Sequence, residues 1–247
     1  MIVIPMAGLS RRFTQAGYTV PKYMLEAHGR TLFDYAVLSF ADYFGTLPFL
    51  FIARDVADTP AFIRARCEAL GIEDFRCVAL QRETRGQAET VTLGLHEAGI
   101  SGNTPITIFN IDTFRPRFRF PDFTGTSDGY LETFIGEGEA WSFVRPVAER
   151  SDKVAETTEK RRISHFCCTG LYHFAQAKAF LQAYDLDEKL DKDDLQAGEL
   201  YVAPLYNRLI AEGADIRFSI VPREAVIFSG VPAEYDELLL RPGLLPY

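Results

Sequence analysis

Up to about residue 110 the chain alternates short apolar, β-branched runs with stretches whose apolar residues recur at helical spacing. Strands separated by whole helices cannot be hairpin partners, so the pattern predicts parallel pairing in a sheet covered on both faces. Residues 2–4, 49–53, 75–80 and 106–109 read as the strands. Residues 31–44, with Leu32, Ala36, Val37 and Phe40 on one stripe, read as the first helix. Thr59 and Pro60 look like an N-cap followed by Pro at the first helical position, opening a helix to about residue 70. Residues 86–98 read as another helix.

After Asp112 the pattern changes. Residues 130–135 and 141–147 flank the turn-rich Gly136-Glu137-Gly138-Glu139, which predicts a hairpin and makes the sheet mixed. Further strands are expected at 170–174, 216–221 and 225–228, with helices near 175–184, 201–212 and 233–240. No repeat, linker or low-complexity tract interrupts the chain. The expected fold class is therefore α/β: one domain over 1–247, a mixed sheet with a Rossmann-like N-terminal half.

A chain of 247 residues buries enough surface to need no disulfide or structural metal. Its formal net charge of −8 argues against nucleic acid and against membrane surfaces, so any phosphate partner is expected to be small. Cys67, Cys77, Cys167 and Cys168 show no C-x-x-C spacing, and His28, His96, His165 and His173 form no H-E-x-x-H; neither zinc nor a redox dithiol is indicated, and the histidines receive no role. Residues 2–5 are too short an apolar run for a signal peptide, and the longest such run, 47–53, falls well short of the roughly 20 residues a bilayer requires. A reducing cytoplasm is the expected location. The acidic stretch 185–194 reads as a solvated loop.

The chemistry concentrates in Pro5-Met6-Ala7-Gly8-Leu9-Ser10-Arg11-Arg12-Phe13 and the Pro21-Lys22 that follows, directly after the first strand. Glycine lets a ligand approach the backbone, and successive loop N–H groups make a concavity for phosphate oxygens. G-x-G-x-x-G fails, because positions 10 and 13 are Ser and Phe and no helix is expected to open at once. The P-loop fails for want of G-K-[ST]. What remains is a small-residue turn delivering two arginines and a proline-braced lysine, a cluster suited to a triphosphate.

These residues resemble the signature of the sugar-phosphate nucleotidyltransferases, the pyrophosphorylase family that includes glucose-1-phosphate thymidylyl- and cytidylyltransferases. The family loop A-G-x-G-[TS]-R-[LF] followed by P-K would be Ala7-Gly8-Leu9-Ser10-Arg11-Arg12-Phe13 and Pro21-Lys22, with Ser10 replacing the second glycine. The resemblance implies a GT-A-like nucleotide-diphospho-sugar transferase fold. It implies that Arg12 and Lys22 are catalytic, holding the phosphates, and that Ala7, Gly8, Leu9 and Ser10 bind the nucleotide. Gln81 and Gly86, before Ala88-Glu89-Thr90, resemble the segment that reads the nucleobase. Asn110-Ile111-Asp112-Thr113 follows an apolar strand where the family has a Mg²⁺-binding aspartate, which makes Asp112 catalytic and the metal ligand. Glu159-Lys160 and Cys168-Thr169-Gly170-Leu171-Tyr172-His173-Phe174 resemble the segments lining the sugar-phosphate pocket. There Lys160 would pair with the acceptor phosphate and Glu159 with sugar hydroxyls, beside Thr169 and Gly170; Glu156 competes with Glu159, and the proline expected after E-K is Arg161.

The implied reaction joins an NTP to a sugar 1-phosphate, or a similar phosphorylated acceptor, in nucleotide-sugar biosynthesis for capsule or surface polysaccharide. A homo-oligomer is compatible with it, and too little chain follows residue 240 for the acyltransferase-like domain that some relatives append. Two rivals remain: a glycosyltransferase of related fold, which would leave Arg12 and Lys22 no pyrophosphate to bind, and a non-catalytic nucleotide-binding module, favoured by Ser10. Arg115, Arg117 and Arg119 share one face if extended; a solvated edge strand is expected, with an acceptor-anion role as the alternative. Near the C-terminus Ile227-Phe228-Ser229-Gly230-Val231-Pro232 lacks the family's second metal-binding aspartate, so Glu224 or Asp236 is the candidate should a second acid complete the site.

Overall fold

The structure, a computed structural model, describes residues 1–245. Strand Ile2–Met6 is central, paired in parallel with Phe49–Arg54 on one side and Ile106–Phe109 on the other, while Phe75–Leu80 extends the sheet beyond Phe49–Arg54. Alternate residues of these runs enter different cores. Val3, Leu50 and Ile52 pack with the helices Gln87–Glu97 and Ala177–Asp187, while Ile2, Ile4, Phe49 and Phe51 pack with Leu32–Leu38, Thr59–Leu70 and Pro232–Leu240. Both faces being covered, the inner strands Ile2–Met6, Phe49–Arg54 and Ile106–Phe109 are buried almost throughout and nearly continuously apolar, whereas Phe75–Leu80 at the edge is mostly half-buried and carries exposed Arg76.

The second half completes a mixed nine-stranded sheet. Strand Phe166–Phe174 runs antiparallel to Ile106–Phe109 through its later residues and to Ser142–Pro146 through its first two, with Gly129–Ile135 along its other edge. Its register shifts between Cys168 and Tyr172, around Gly170 at φ +96°. Ile216–Val221 joins in parallel to Gly129–Ile135. Val154–Glu159, paired with Ser142–Pro146, is a strand that the sequence did not announce, because its V-A-E-T-T-E mixes faces of similar polarity.

Other expectations need correction. Asp58, in the left-handed region, is the N-cap of Thr59–Leu70, so Thr59 is its first residue. Residues 201–212 divide into a 3-10 turn, Ala203–Leu205, with Pro204 within it, and a short helix, Tyr206–Ala211. The acidic stretch is not all solvated: Asp187 closes a helix and meets Arg208 at 2.7 Å. Nor is Arg115 on a solvated edge. It is buried, donates through Nε at 2.6 Å and Nη2 at 3.0 Å to the Glu132 carboxylate, and reaches the Ala225 carbonyl at 2.7 Å. Arg117 and Arg119 are exposed, the latter against Asp42. No helix among the described residues is long and apolar enough to cross a membrane.

Removing one member of the Arg115–Glu132 pair would leave a bare charge in the core. Arg115→Ala should therefore lose about 3–5 kcal/mol of stability. The double variant Arg115→Met/Glu132→Leu should recover most of it, as read by thermal unfolding; equal melting of wild type and Arg115→Ala would show the pair contributes nothing.

Candidate active site

A cleft of about 1130 Å³ opens outside the carboxyl ends of the parallel strands, where ligands collect in open α/β sheets. Ala7, Gly8, Leu9 and Ser10 form its floor as the chain leaves Ile2–Met6. A Cβ on Gly8 would meet no atom of the chain within 4 Å, so protein packing does not require glycine there and the adjoining space belongs to the cleft. Ser10, at φ 50°, adopts the left-handed conformation that glycine takes most readily. Its Oγ accepts from the Lys22 backbone N–H at 3.4 Å and joins the two halves of the motif. Contrary to expectation, a helix does open at once: Arg11–Gln15, a turn too short to show periodicity, held by buried Phe13 against Tyr18 and Tyr235.

Lys22 starts a 3-10 turn behind Pro21, and its Nζ reaches Asp112 Oδ2 at 2.5 Å. Burial by itself would raise the Asp112 carboxyl, but the Lys22 ammonium on it, and Arg12 beyond, hold it below its ordinary range. Arg12 lines the cleft exposed, its guanidinium without a hydrogen bond or ion pair among the described residues; Arg11 stands 4.0 Å from Glu83. The Asp112 carbonyl is bonded by the Ser229 N–H at 2.8 Å, so the C-terminal turn Ser229–Gly230 closes over the aspartate. Asn110 beside it is fixed three ways. Its N–H meets the Gly170 carbonyl at 3.0 Å, its Oδ1 accepts from Gln87 Nε2 at 2.5 Å, and a Cβ at Gly170 would sit 2.4 Å from its Nδ2.

At the other end Glu159 is buried, accepting from the Ser142 hydroxyl, which also lies 3.2 Å from the Tyr172 hydroxyl. Burial pushes the Glu159 carboxyl up, offset in part by Ser142 and the Lys160 charge. Thr169 and Gly170 line the same end. Glu156, three residues earlier on the strand, faces outward to Arg145 and Arg161, so Glu159 is the acid that enters the cleft.

Two assigned residues do not line the cleft. Lys160, at φ 50°, turns its side chain out of the strand's alternation, and its ammonium rests on the Tyr201 hydroxyl and ring. Lys192 is the lysine that lines this end. Gln81 is exposed at the end of an edge strand, its amide bonded at 3.3 Å to its own neighbour's carbonyl at Ala79. Gln87 is the amide inside. Gly86 does line the cleft, but its glycine is explained by protein: at φ +148° a Cβ would lie 2.4 Å from the Leu200 carbonyl. Glu224 and Asp236 do not line it either, whereas Glu234 does, its Oε2 accepting from the Gly230 and Val231 N–H groups. Trp141, Ser142 and Lys192 line the cleft without any signal in the sequence, whereas Tyr172 belongs to the segment that resembles the sugar-phosphate pocket. Gln87 and Glu234 do have a signal, the first adjoining Gly86 and the second three residues after Val231, the N3 position of a helix cap.

No family model matches the chain, and no curated protein matches it in sequence. Among solved structures, the nucleoside-diphosphate-sugar pyrophosphorylase of Vibrio cholerae RC9 is 54% identical, covering 97% of this chain and 100% of its own with a TM-score of 0.93. The inositol-1-phosphate CTP transferase of T. maritima (15% identity, 97% and 94% coverage, TM-score 0.71) and a UDP-glucose pyrophosphorylase complexed with UDP-glucose (14%, 98% and 97%, 0.73) share the fold.

The depressed Asp112 carboxyl sets a pH dependence. A folded-state value below the unfolded one gives stability that is present above the ordinary carboxylate range and lost as pH falls through the folded value. The melting difference between wild type and Asp112→Asn should be full above about pH 5 and shrink towards pH 2. A difference that stays constant over that window would remove Lys22 as the cause of the shift.

Proposed function

The chain belongs to the nucleoside-diphosphate-sugar pyrophosphorylase family, and from that premise we propose how its residues carry the reaction. The enzyme joins a nucleoside triphosphate to a sugar 1-phosphate and releases pyrophosphate. An oxygen of the acceptor phosphate attacks the α-phosphorus, the bond from that phosphorus to the bridging oxygen of the β-phosphate breaks, and pyrophosphate leaves with the electron pair. The attacking group is already an anion, so no protein base is required. The protein's task is to align two anions and to stabilise charge on the transferring and leaving phosphates.

The observation that carries this reading is the convergence of Lys22 and Asp112, 90 positions apart, at 2.5 Å beside the open Gly8 loop. Lys22 and Arg12 bind the triphosphate, with the N–H groups of the Ala7–Ser10 turn around its oxygens. Gln87, at the N-terminus of its helix, stands at the nucleotide end with Gly86, in the part first given to Gln81. Glu159 accepts from sugar hydroxyls, with Thr169 and Gly170 beside it. Lys160 remains a candidate for the acceptor phosphate only if it leaves Tyr201. The whole chain acts as one domain, and its four unbridged cysteines suit a reducing cytoplasm.

The donor set suits Mg²⁺. A Cβ on Gly230 would lie 3.1 Å from Asp112 Oδ2 and 3.6 Å from Glu234 Oε2, so two carboxylates flank this glycine on the cleft wall. One or two carboxylates beside phosphates and water is the coordination this hard cation prefers. When bound, the ion supplies Lewis-acid charge at the phosphate oxygens. Asp112 would hold it, with Glu234 in reach in place of an acid at Phe228.

Lys22→Ala should cost on the order of 3–4 kcal/mol of transition-state stabilisation, and above the ordinary carboxylate range it should also lower melting, because Asp112 loses its counter-ion. Pyrophosphate release, measured with each common NTP and a panel of sugar 1-phosphates, reads it; wild-type turnover in the variant would remove Lys22 from the mechanism. Calorimetric titration of Mg²⁺ should show weak binding to the free protein and tighter binding with a non-hydrolysable NTP analogue. Equal affinity in both would mean that protein ligands alone make the site.

A further inference from the structure

Phe228 occupies the position where the family resemblance expects a metal-binding aspartate, and it lines the cleft beside Trp141. The two rings pack at 4.8 Å between centroids, tilted by 47°. Phe134 meets Trp141 edge-on at 5.1 Å and Phe228 at 5.5 Å. The Arg223 guanidinium lies over Phe228 at 5.0 Å and over Phe134 at 5.4 Å, bracing the cluster. The indole N–H is already spent on the Glu137 carbonyl at 3.0 Å, so what Trp141 has left to offer a ligand is apolar ring surface.

The next residue in the chain, Ser142, carries the hydroxyl that bonds Glu159 and approaches Tyr172. An apolar aromatic surface thus adjoins a buried carboxylate and two hydroxyls. That combination matches a pyranose, whose axial C–H bonds make one face apolar while equatorial hydroxyls need acceptors at its rim. Aromatic side chains are suited to such mixed ligands because they add large contact area at low conformational cost. Phosphate, pyrophosphate and nucleotide phosphates have no use for this surface.

We propose that Trp141, with Phe228 beside it, is the platform on which the acceptor's sugar ring lies, and that it selects rings presenting an unbroken C–H face. The inference rests on the nucleotidyl-transfer reading above and adds a specificity residue to it. Trp141 contacts substrate and takes no part in bond making. An acceptor carrying an axial hydroxyl on the stacked face loses the contact, so discrimination among hexose 1-phosphates arises here as well as at Glu159.

Trp141 is the only tryptophan of the chain, so its emission reports the platform directly. The protein is titrated with glucose 1-phosphate, galactose 1-phosphate and mannose 1-phosphate, with inorganic phosphate as control, and pyrophosphate release is measured for each acceptor. The emission should change saturably with the acceptors that are turned over and stay unchanged with inorganic phosphate. Trp141→Ala should raise the acceptor KM about tenfold or more while the NTP KM stays within about twofold, and Trp141→Phe should restore most of the loss. Should Trp141→Ala fail to fold, the wild-type emission and Trp141→Phe decide. Turnover with unchanged Trp141 emission at saturating acceptor, or an unaltered acceptor KM in Trp141→Ala, overturns the proposal. If no acceptor and NTP of the panels yield pyrophosphate, the nucleotidyl-transfer reading fails, and the platform with it.

Discussion

Residues Phe166–Phe174 bond to three other strands, and the two halves of the nine-stranded sheet are continuous because they do. Leu171 to Phe174 pair with the parallel half at Ile106–Phe109, Phe166 and Cys167 with Val144 and Phe143, and the far edge with Gly129–Ile135. The exchange of partners requires an irregularity, and Gly170 provides it at φ +96°, against an asparagine that no side chain could approach so closely. Cleft residues are set by this same joint. Thr169 donates to buried Glu132, its carbonyl accepts from the Thr113 hydroxyl, and Glu132 is held by Arg115. The turn bearing Asn110 and Asp112 therefore inherits its position from a hydrogen-bonded frame beneath it.

Above that frame the electrostatics are local. A chain of net charge −8 repels polyphosphates at a distance, and screening at physiological salt leaves only the nearest charges effective. In the phosphate-binding role proposed for them, Arg12 and Lys22 act at short range only, from the segment that follows the first strand. In the free protein Asp112 is the counter-ion of Lys22, which keeps the half-buried ammonium paired, while Arg12 is left to solvent. On the reading proposed above, binding of the two substrates redistributes charge within a site whose groups are already placed, so little reorganisation is needed at the moment of reaction.

Much of this arrangement is legible in residues alone, for identifiable reasons. The parallel half announces itself because its inner strands, buried on both faces, are apolar nearly throughout; Gly8 and Asp112 fall just past the ends of two such runs, and Arg12 and Lys22 follow in the segment after the first. Residues whose roles depend on a turn's direction are not legible. Which amide faces the cleft, Gln81 or Gln87, is decided by the packing of Gly86 on Leu200, a contact between segments far apart in the chain. Lys160 leaves the strand's alternation because of a positive φ that its sequence does not advertise. Arg115 alternates with solvated arginines, yet its partner Glu132 lies on a different strand, so a pattern read along the chain cannot distinguish it. Val154–Glu159 escaped for a similar reason: its threonines satisfy β propensity without the apolar alternation that marks a half-buried strand.

The three-way strand also fixes an order of events during synthesis. When the ribosome has released the chain through Ile106–Phe109, the four parallel strands and the helices between them, Leu32–Leu38, Thr59–Leu70 and Gln87–Glu97, can assemble, but one edge of Ile106–Phe109 faces nothing. Its partner, Leu171–Phe174, lies more than sixty residues further along the template. Gly129–Ile135 waits likewise for Ile216–Val221 as well as for Phe166–Phe174. Unpaired apolar edges recruit other strands, and N-terminal segments commonly fold before the rest arrives. A nascent or truncated chain ending before Phe166 thus carries an adhesive border that the complete sequence later seals, and premature termination in this region yields a species prone to self-association.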